Sequence, residues 1–150
     1  MQFVFFKKLH PDAMIPAEPV HPGDVGYDLF VLGDHKLWPG ESKDIPSGIA
    51  MEPPDGVWVR IAPRSSTHRK RGLSVREGVI DQGYRGELLS YVTNDNDEPV
   101  TIKHGDRLAQ LIMHPVLVFP IIESDNLAAS SRGAGGFGST GLNGGANDGR

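Results

Sequence analysis

The stretch Val79-Ile80-Asp81-Gln82-Gly83-Tyr84-Arg85-Gly86 places a carboxylate, Asp81, directly after an apolar pair and directly before a glycine-containing turn. Tyr84 follows three residues on, and hydrophobic residues resume at Leu88 and Leu89. This pattern predicts strand, tight turn, strand, with Asp81 at the lip. An acid at the end of a rigid hairpin can activate a water without wandering. Aspartate is also a common turn former, and on these eight residues alone that plainer reading comes first.

The flanking sequence extends the same β pattern. Val57, Val59 and Ile61 alternate with Trp58 and Arg60, as in a half-buried strand. Further strands are predicted at residues 2–9, 27–32, 41–45, 49–52, 73–80, 87–93, 100–103, 107–113 and 116–121. Trp38-Pro39-Gly40, Pro53-Pro54-Asp55-Gly56 and His104-Gly105-Asp106 read as turns, residues 94–99 as a solvated turn, and residues 10–24 as extended loop. One short helix is expected within residues 64–72. Short strands at this spacing indicate an all-β sandwich, jelly roll or barrel.

Composition bounds the function. A length of 150 residues suits one domain. The 19 glycines and 12 prolines suit many strands joined by turns and disfavour a helical bundle. A formal charge of -4 argues against a general nucleic-acid binder. The lack of cysteine removes disulfides and thiolate zinc sites. No apolar run approaches membrane-spanning length, and residues 3–6 make only a short apolar run before Lys7 and Lys8, unlike a signal peptide. A soluble cytoplasmic protein without membrane or nucleic-acid partners is expected. The composition changes after Asp125. Residues 1–125 are expected to form the β domain and residues 126–150 a flexible arm, since the glycine-rich end has too little apolar surface to order itself.

Four further stretches carry candidate chemistry. In Gly26-Tyr27-Asp28-Leu29 an acid enters a strand; by itself it reads as a solvent-facing aspartate. In Ala62-Pro63-Arg64-Ser65-Ser66 a guanidinium and two hydroxyls follow a strand end. That set suits phosphate oxygens, and equally suits a capped short helix. In Gly105-Asp106-Arg107-Leu108-Ala109-Gln110-Leu111-Ile112, Gln110 interrupts an apolar face and needs a backbone or ligand partner. In the segment from Arg132 to Gly141, Phe137 could stack on a ring while Arg132, Ser139, Thr140 and backbone amides such as that of Gly138 meet phosphate. Residues 133–140 match a Walker A loop except that Ser139 replaces its lysine, and no helix follows, so a P-loop is disfavoured. Asn94-Asp95-Asn96-Asp97 lacks the glycine and distal glutamate of a calcium loop, and the six histidines show no close pair at metal-ligand spacing.

In order, GYDL, APRSS, GVIDQGYRG, GDRLAQLI and RGAGGFGSTG resemble the five motifs of the trimeric deoxyuridine triphosphatases and span residues 26–141. The resemblance implies a β jelly roll, a homotrimer with active sites between subunits, and a C-terminal arm of one subunit closing over another's site. It implies hydrolysis of dUTP to dUMP and pyrophosphate with Mg²⁺. Asp81 would be the general base for water attacking the α-phosphorus. Tyr84 would pack under the deoxyribose, and Gly78, Val79 and Ile80 would read the uracil edge. Gln110 would contact the α-phosphate, and Arg64, Ser65 and Ser66 would sit near the phosphates. Asp28 would hold a water on Mg²⁺. Arg132, Gly138, Ser139 and Thr140 would grip the phosphate chain and Phe137 would cover the uracil.

The sequence departs from the family pattern in places. Ser66 replaces a usual glycine, Val25 replaces a usual alanine, and His68-Arg69-Lys70-Arg71 is unusually basic. Two rivals share the fold. A deoxycytidine triphosphate deaminase, or its bifunctional relative, needs a glutamate where Tyr91 stands, and tyrosine cannot shuttle the protons of deamination as a carboxylate does. A trimeric module that holds a protein partner is the other; such a role could coexist with hydrolysis.

Overall fold

The structure is a computed structural model that describes residues 3–17, 19 and 21–135. It divides into two units, Met1–Leu117 and Val118–Arg150. The first holds eleven described strands, all paired antiparallel, and one helix. This is the expected all-β jelly-roll class. No helix among the described residues is long and apolar enough to cross a membrane.

The strands are β1 (Phe5–Lys8), β2 (Gly26–Phe30), β3 (His35–Leu37), β4 (Ser42–Pro46), β5 (Ile49–Glu52), β6 (Val57–Pro63), β7 (Leu73–Val75), β8 (Gly78–Ile80), β9 (Leu89–Asn94), β10 (Val100–Ile102) and β11 (Arg107–Pro115); helix α1 is Ser65–Arg71. They form a four-stranded sheet in the order β2-β11-β6-β8, a three-stranded sheet β4-β9-β7, and the pairs β1-β5 and β10-β3. One core draws on all four sheets, with Leu111 and Val59 from the first, Val92 and Ile45 from the second, and Met51 and Leu37 from the pairs.

Three sequence expectations change. Residues 73–80 are not one strand: Val75 pairs with Val92 in the three-stranded sheet, whereas Gly78 pairs with Ile61 in the four-stranded sheet. The break falls at Arg76-Glu77, two exposed charged residues in succession where alternation would need one apolar. Consequently β8 and β9 do not form the expected hairpin ladder. The Asp81 segment instead crosses from one sheet to the other. Residues 116–121 are not a strand either. Val116 N–H donates once, to Gly56 O at 2.9 Å, and no ladder follows. Finally, β3 is a strand the polar His35-Lys36 pair concealed, although its Leu37 is wholly buried.

The turn at residues 94–99 is not simply solvated. Asn94 is fully buried. Its Nδ2 donates to Leu37 O at 3.1 Å and Glu98 O at 2.9 Å, and its Oδ1 accepts from Asn96 N–H at 3.0 Å and Asn96 Nδ2 at 2.8 Å. Asn96 Nδ2 also reaches Arg71 O at 2.8 Å, joining this turn to the end of α1. Buried amides are tolerated when every polar atom is matched. Replacing Asn94 by alanine strands the Leu37 and Glu98 carbonyls and should cost about 2–3 kcal/mol of unfolding free energy in a urea titration.

Candidate active site

The centre of the four-stranded sheet sets the site. Gln110 on β11 stands opposite Asp28 on β2 and opposite Ala62 on β6. Directly opposed residues share a face of the sheet, so Asp28 and Gln110 rise side by side above the small Ala62. Gln110 Nε2 donates to Pro63 O at 3.0 Å, the backbone partner its position called for. Its side chain lies over Gly26, where any Cβ would collide with Gln110 Oε1. A glycine is needed there for space, not for its dihedral freedom.

A β-bulge shapes the next position. Between Arg107 and Ala109 the β11–β2 register shifts, so two β11 steps oppose one on β2. Leu108 turns into the core beside Ala109, while exposed Arg107 reaches Asp28. The Leu108 carbonyl then accepts from the buried Thr67 hydroxyl at 2.7 Å and from Arg64 N–H at 3.3 Å. These bonds fix the start of α1, which begins at Ser65 with no side-chain cap. The far end of α1 is held by Arg71, which bonds Asp106 Oδ2 at 2.6 Å and Thr101 O at 2.8 Å.

Around this frame lies a cleft of about 570 Å³ whose walls include Asp24, Gly26, Asp28, Arg64, Ser65, Ser66, Arg107 and Gln110. Asp28 is clamped by two guanidiniums, with Arg64 Nε on Oδ1 at 2.6 Å and Arg107 Nη1 on Oδ2 at 3.0 Å. Arg64 Nη1 also donates to Arg107 O at 3.3 Å. The structure thus brings together Asp28, Arg64, Ser65, Ser66 and Gln110. Arg107 sits among them; sequence reasoning quoted it within its motif and gave it no role. Its signal was its place next to the turn that leads into the Gln110 strand.

The second group of residues lies elsewhere. Gly78, Val79 and Ile80 form β8 at the edge of the sheet, and Asp81 and Tyr84 follow it, exposed. Ile80 opposes Val59 while Gln110 opposes Ala62. That places them three strand positions and two strand spacings apart, roughly 10 Å in each direction. The Asp81 loop is nonetheless well fixed. Tyr84 N–H donates to Asp81 O at 3.0 Å, and Gln82 is tied to Asp55 Oδ1 at 2.8 Å and to Gly56 N–H at 3.3 Å. Tyr84 Oη donates to Glu87 O at 3.0 Å, with its ring over Gly86, where a Cβ would collide with it. Arg132 belongs to the C-terminal unit and its Nε donates to Gly135 O at 2.7 Å. Phe137, Gly138, Ser139 and Thr140 lie outside the described residues.

The dUTPase family model matches residues 13–141 of this chain. The chain belongs to the dUTPase family. The deoxyuridine 5'-triphosphate nucleotidohydrolase of Thermobifida fusca (strain YX) is 43% identical over 141 residues, 92% of this chain and 78% of the relative. That of Nautilia profundicola is 42% identical over 137 residues, 90% of this chain and 96% of the relative. A solved dUTPase of Staphylococcus bacteriophage 80alpha, with dUPNHPP, aligns with a TM-score of 0.88 at 28% identity, over 95% of this chain and all of that one. This dUTPase chain is accordingly an enzyme that hydrolyses dUTP, a dUTP diphosphatase.

Two consequences of the dUTPase geometry can be measured. Gly26→Ala pushes the Gln110 side chain off its seat; with Gln110 at the α-phosphate, as proposed below, a displacement of about 1 Å costs on the order of 100-fold in rate, so dUTP turnover should fall well before the melting temperature does. The second concerns acid stability. Burial raises the Asp106 pKa, but the Lys103 N–H and the Arg71 hydrogen bond and charge outweigh it and hold the carboxyl below its ordinary value. A lowered folded pKa stabilises fully above the unfolded value, about 4, and that stabilisation is lost as pH falls through the folded value. Asp106→Asn should therefore lower stability at neutral pH and flatten the acid limb below about pH 4 in pH-dependent unfolding.

Proposed function

We propose that this dUTPase cleaves dUTP to dUMP and pyrophosphate at sites assembled between copies of the chain, with Asp81 as general base for water attack on the α-phosphorus. The observation that carries this reading is the separation of the two residue groups. A general base must lie within about 3 Å of the proton it takes, or act through one water. Asp81 cannot meet that condition for a phosphate held at Gln110 of its own chain. In a homotrimer the Asp81 loop of one copy can face the Asp28–Arg64–Gln110 cleft of another. Residues 116–122 support such assembly. Leu117, Val118, Phe119, Ile121 and Ile122 are each more than 70% exposed, and a run of that kind marks an interaction surface. Its β-branched and aromatic composition suits a strand whose ladder partner is another copy.

At the assembled site, Tyr84 packs under the deoxyribose and the β8 backbone reads the uracil edge. Gln110 takes the α-phosphate, with Arg64, Ser65 and Ser66 on the chain beyond it. The C-terminal segment supplies Arg132, Gly138, Ser139 and Thr140 to the phosphates and Phe137 to the base, acting as an arm on the domain of residues 1–125. Fixed donors aimed at the departing pyrophosphate are the main electrostatic contribution in phosphoryl transfer.

The residues present fit Mg²⁺ held largely by substrate. Among the described residues no group of three His, Asp or Glu could cage a metal, and both Asp28 oxygens face guanidiniums. A cation bound mostly by phosphates and waters needs only one nearby carboxylate, and Asp28 would hold it through water. When bound, Mg²⁺ neutralises charge on the triphosphate and fixes its shape for in-line attack. We place the activity in the cytoplasm, limiting uracil incorporation into DNA and supplying dUMP for thymidylate synthesis. The 80alpha relative is described among phage dUTPases that control transfer of virulence genes, and a protein-partner role beside hydrolysis is the companion reading. Deamination is not proposed: Tyr91 stands exposed on β9 with the Arg76 guanidinium 5.0 Å from its ring centre.

Complementation tests the shared site. Asp81→Asn should bind dUTP and release no pyrophosphate, and Arg64→Ala should lose most turnover. Unfolding and refolding the two variants together should restore activity, because some sites then pair an intact Asp81 loop with an intact cleft. Mixtures as inactive as the separate variants would place both groups in one chain's site and end this reading.

A further inference from the structure

We propose that Arg107 is a positioning residue for the phosphate chain, acting through Asp28 by cancelling its charge and fixing its orientation. The inference rests on the reading of the cleft as the phosphate site.

The cleft's ionised wall residues are Arg64 and Arg107 against Asp24 and Asp28, so the four formal charges sum to zero. A triphosphate brings several negative charges. Without Arg107 the same wall carries a net negative charge, and the substrate would meet repulsion where it needs attraction. Arg64 cannot compensate by itself, because its Nε is committed to the other Asp28 oxygen at 2.6 Å.

Arg107 Nη1 meets Asp28 Oδ2 at 3.0 Å, so the carboxylate is held from both sides and its orientation is fixed. A carboxylate tied at one oxygen only can swing about its side-chain bonds. Arg64 stays oriented from a separate source, its Nη1 bond to the Arg107 carbonyl at 3.3 Å, which a side-chain substitution at this position leaves in place. The bulge explains how the side chain arrives, since the register shift between Arg107 and Ala109 turns Leu108 inward and frees its neighbour to reach across to β2.

The role is separable from folding. The Arg107 side chain is half exposed, and partly exposed ion pairs contribute little to stability. Arg107 also lies between the main cleft and a smaller one of about 320 Å³, whose walls add Lys70 and Arg71 against Asp106. Lysine in place of Arg107 would keep the charge, whereas alanine removes it.

The test compares wild type, Arg107→Lys and Arg107→Ala, with melting temperatures as the folding control. Two readouts are taken: dUTP kinetics across a salt series, and calorimetric binding of inorganic tripolyphosphate. Arg107→Ala should raise KM on the order of tenfold with kcat much less affected. It should also flatten the salt dependence of kcat/KM and weaken tripolyphosphate binding. Arg107→Lys should recover most of the loss. A wild-type KM and salt dependence in Arg107→Ala would overturn the proposal, and so would Arg107→Lys behaving like alanine. Should Arg107→Ala fail to fold, Arg107→Gln, which keeps a hydrogen-bond donor without the charge, carries the same comparison. Were wild type inactive on dUTP, the functional reading would fall by itself, and tripolyphosphate binding would still decide the role of Arg107.

Discussion

The ladder between β11 and β6 is the constraint on which the rest of this chain depends. It runs through seven paired positions, from Ala109 opposite Pro63 to Pro115 opposite Val57. With β2 on the other side of β11, it sends Ala109 and Leu111 into the core and leaves Gln110 on the outer face between Asp28 and Ala62. Side chains alternate along a strand, so a one-residue slip would bury Gln110 and expose Leu111. The cost of that exchange keeps the register, and the register places the site. Gly26, which lines the cleft, is what leaves the Gln110 side chain its room there.

Electrostatics works on top of this scaffold. If the cleft takes phosphate, as proposed, its carboxylate invites explanation, because the acid repels what the arginines attract. Clamping Asp28 between two guanidiniums answers both needs. The acid keeps Arg64 and Arg107 from pairing elsewhere or spreading into solvent, and the arginines cancel its charge. The anchoring of α1 differs in kind. Thr67 is buried against the Leu108 carbonyl, and Arg71 is bound to the Asp106 turn. Those contacts hold Ser65 and Ser66 at the rim regardless of what occupies the cleft.

Much of this was legible in the sequence, for local reasons. Turn residues, apolar alternation and the five motifs each lie within a few consecutive positions, and the all-β class followed from them. What escaped notice was non-local. Nothing within residues 73–80 says that Val75 belongs to Val92 and Gly78 to Ile61. Only the paired charges at Arg76-Glu77 hinted at a break. The three-residue β3 was hidden because two of its side chains are polar, although Leu37 anchors it. Asn94 read as solvated because its neighbours are acidic, yet its amide is matched entirely within the protein. Arg107 lacked a role because its partner, Asp28, lies on a strand far away in sequence. The final Phe137 to Thr140 group remained outside the described residues.

The separation of Asp81 from the cleft is a consequence of rigid pairing, and local motion does not remove it. Both groups are carried by the same four-stranded sheet, one at its β8 edge and one across β2, β11 and the end of β6. Bringing them together within one chain would require breaking the β8–β6 ladder, which also seats Ile80 against the core. The Asp81 loop is further pinned by Gln82 to the Asp55-Gly56 turn, so it has little slack of its own. On the proposed reading, a sheet that holds these two groups this firmly gains accuracy at each half of the site and gives up the ability to close that site alone. On the shared-site reading, association would be part of catalysis. The uncovered apolar run that follows β11 is where such association would find its driving force, because burying it against another copy removes from water the surface that this chain by itself leaves exposed.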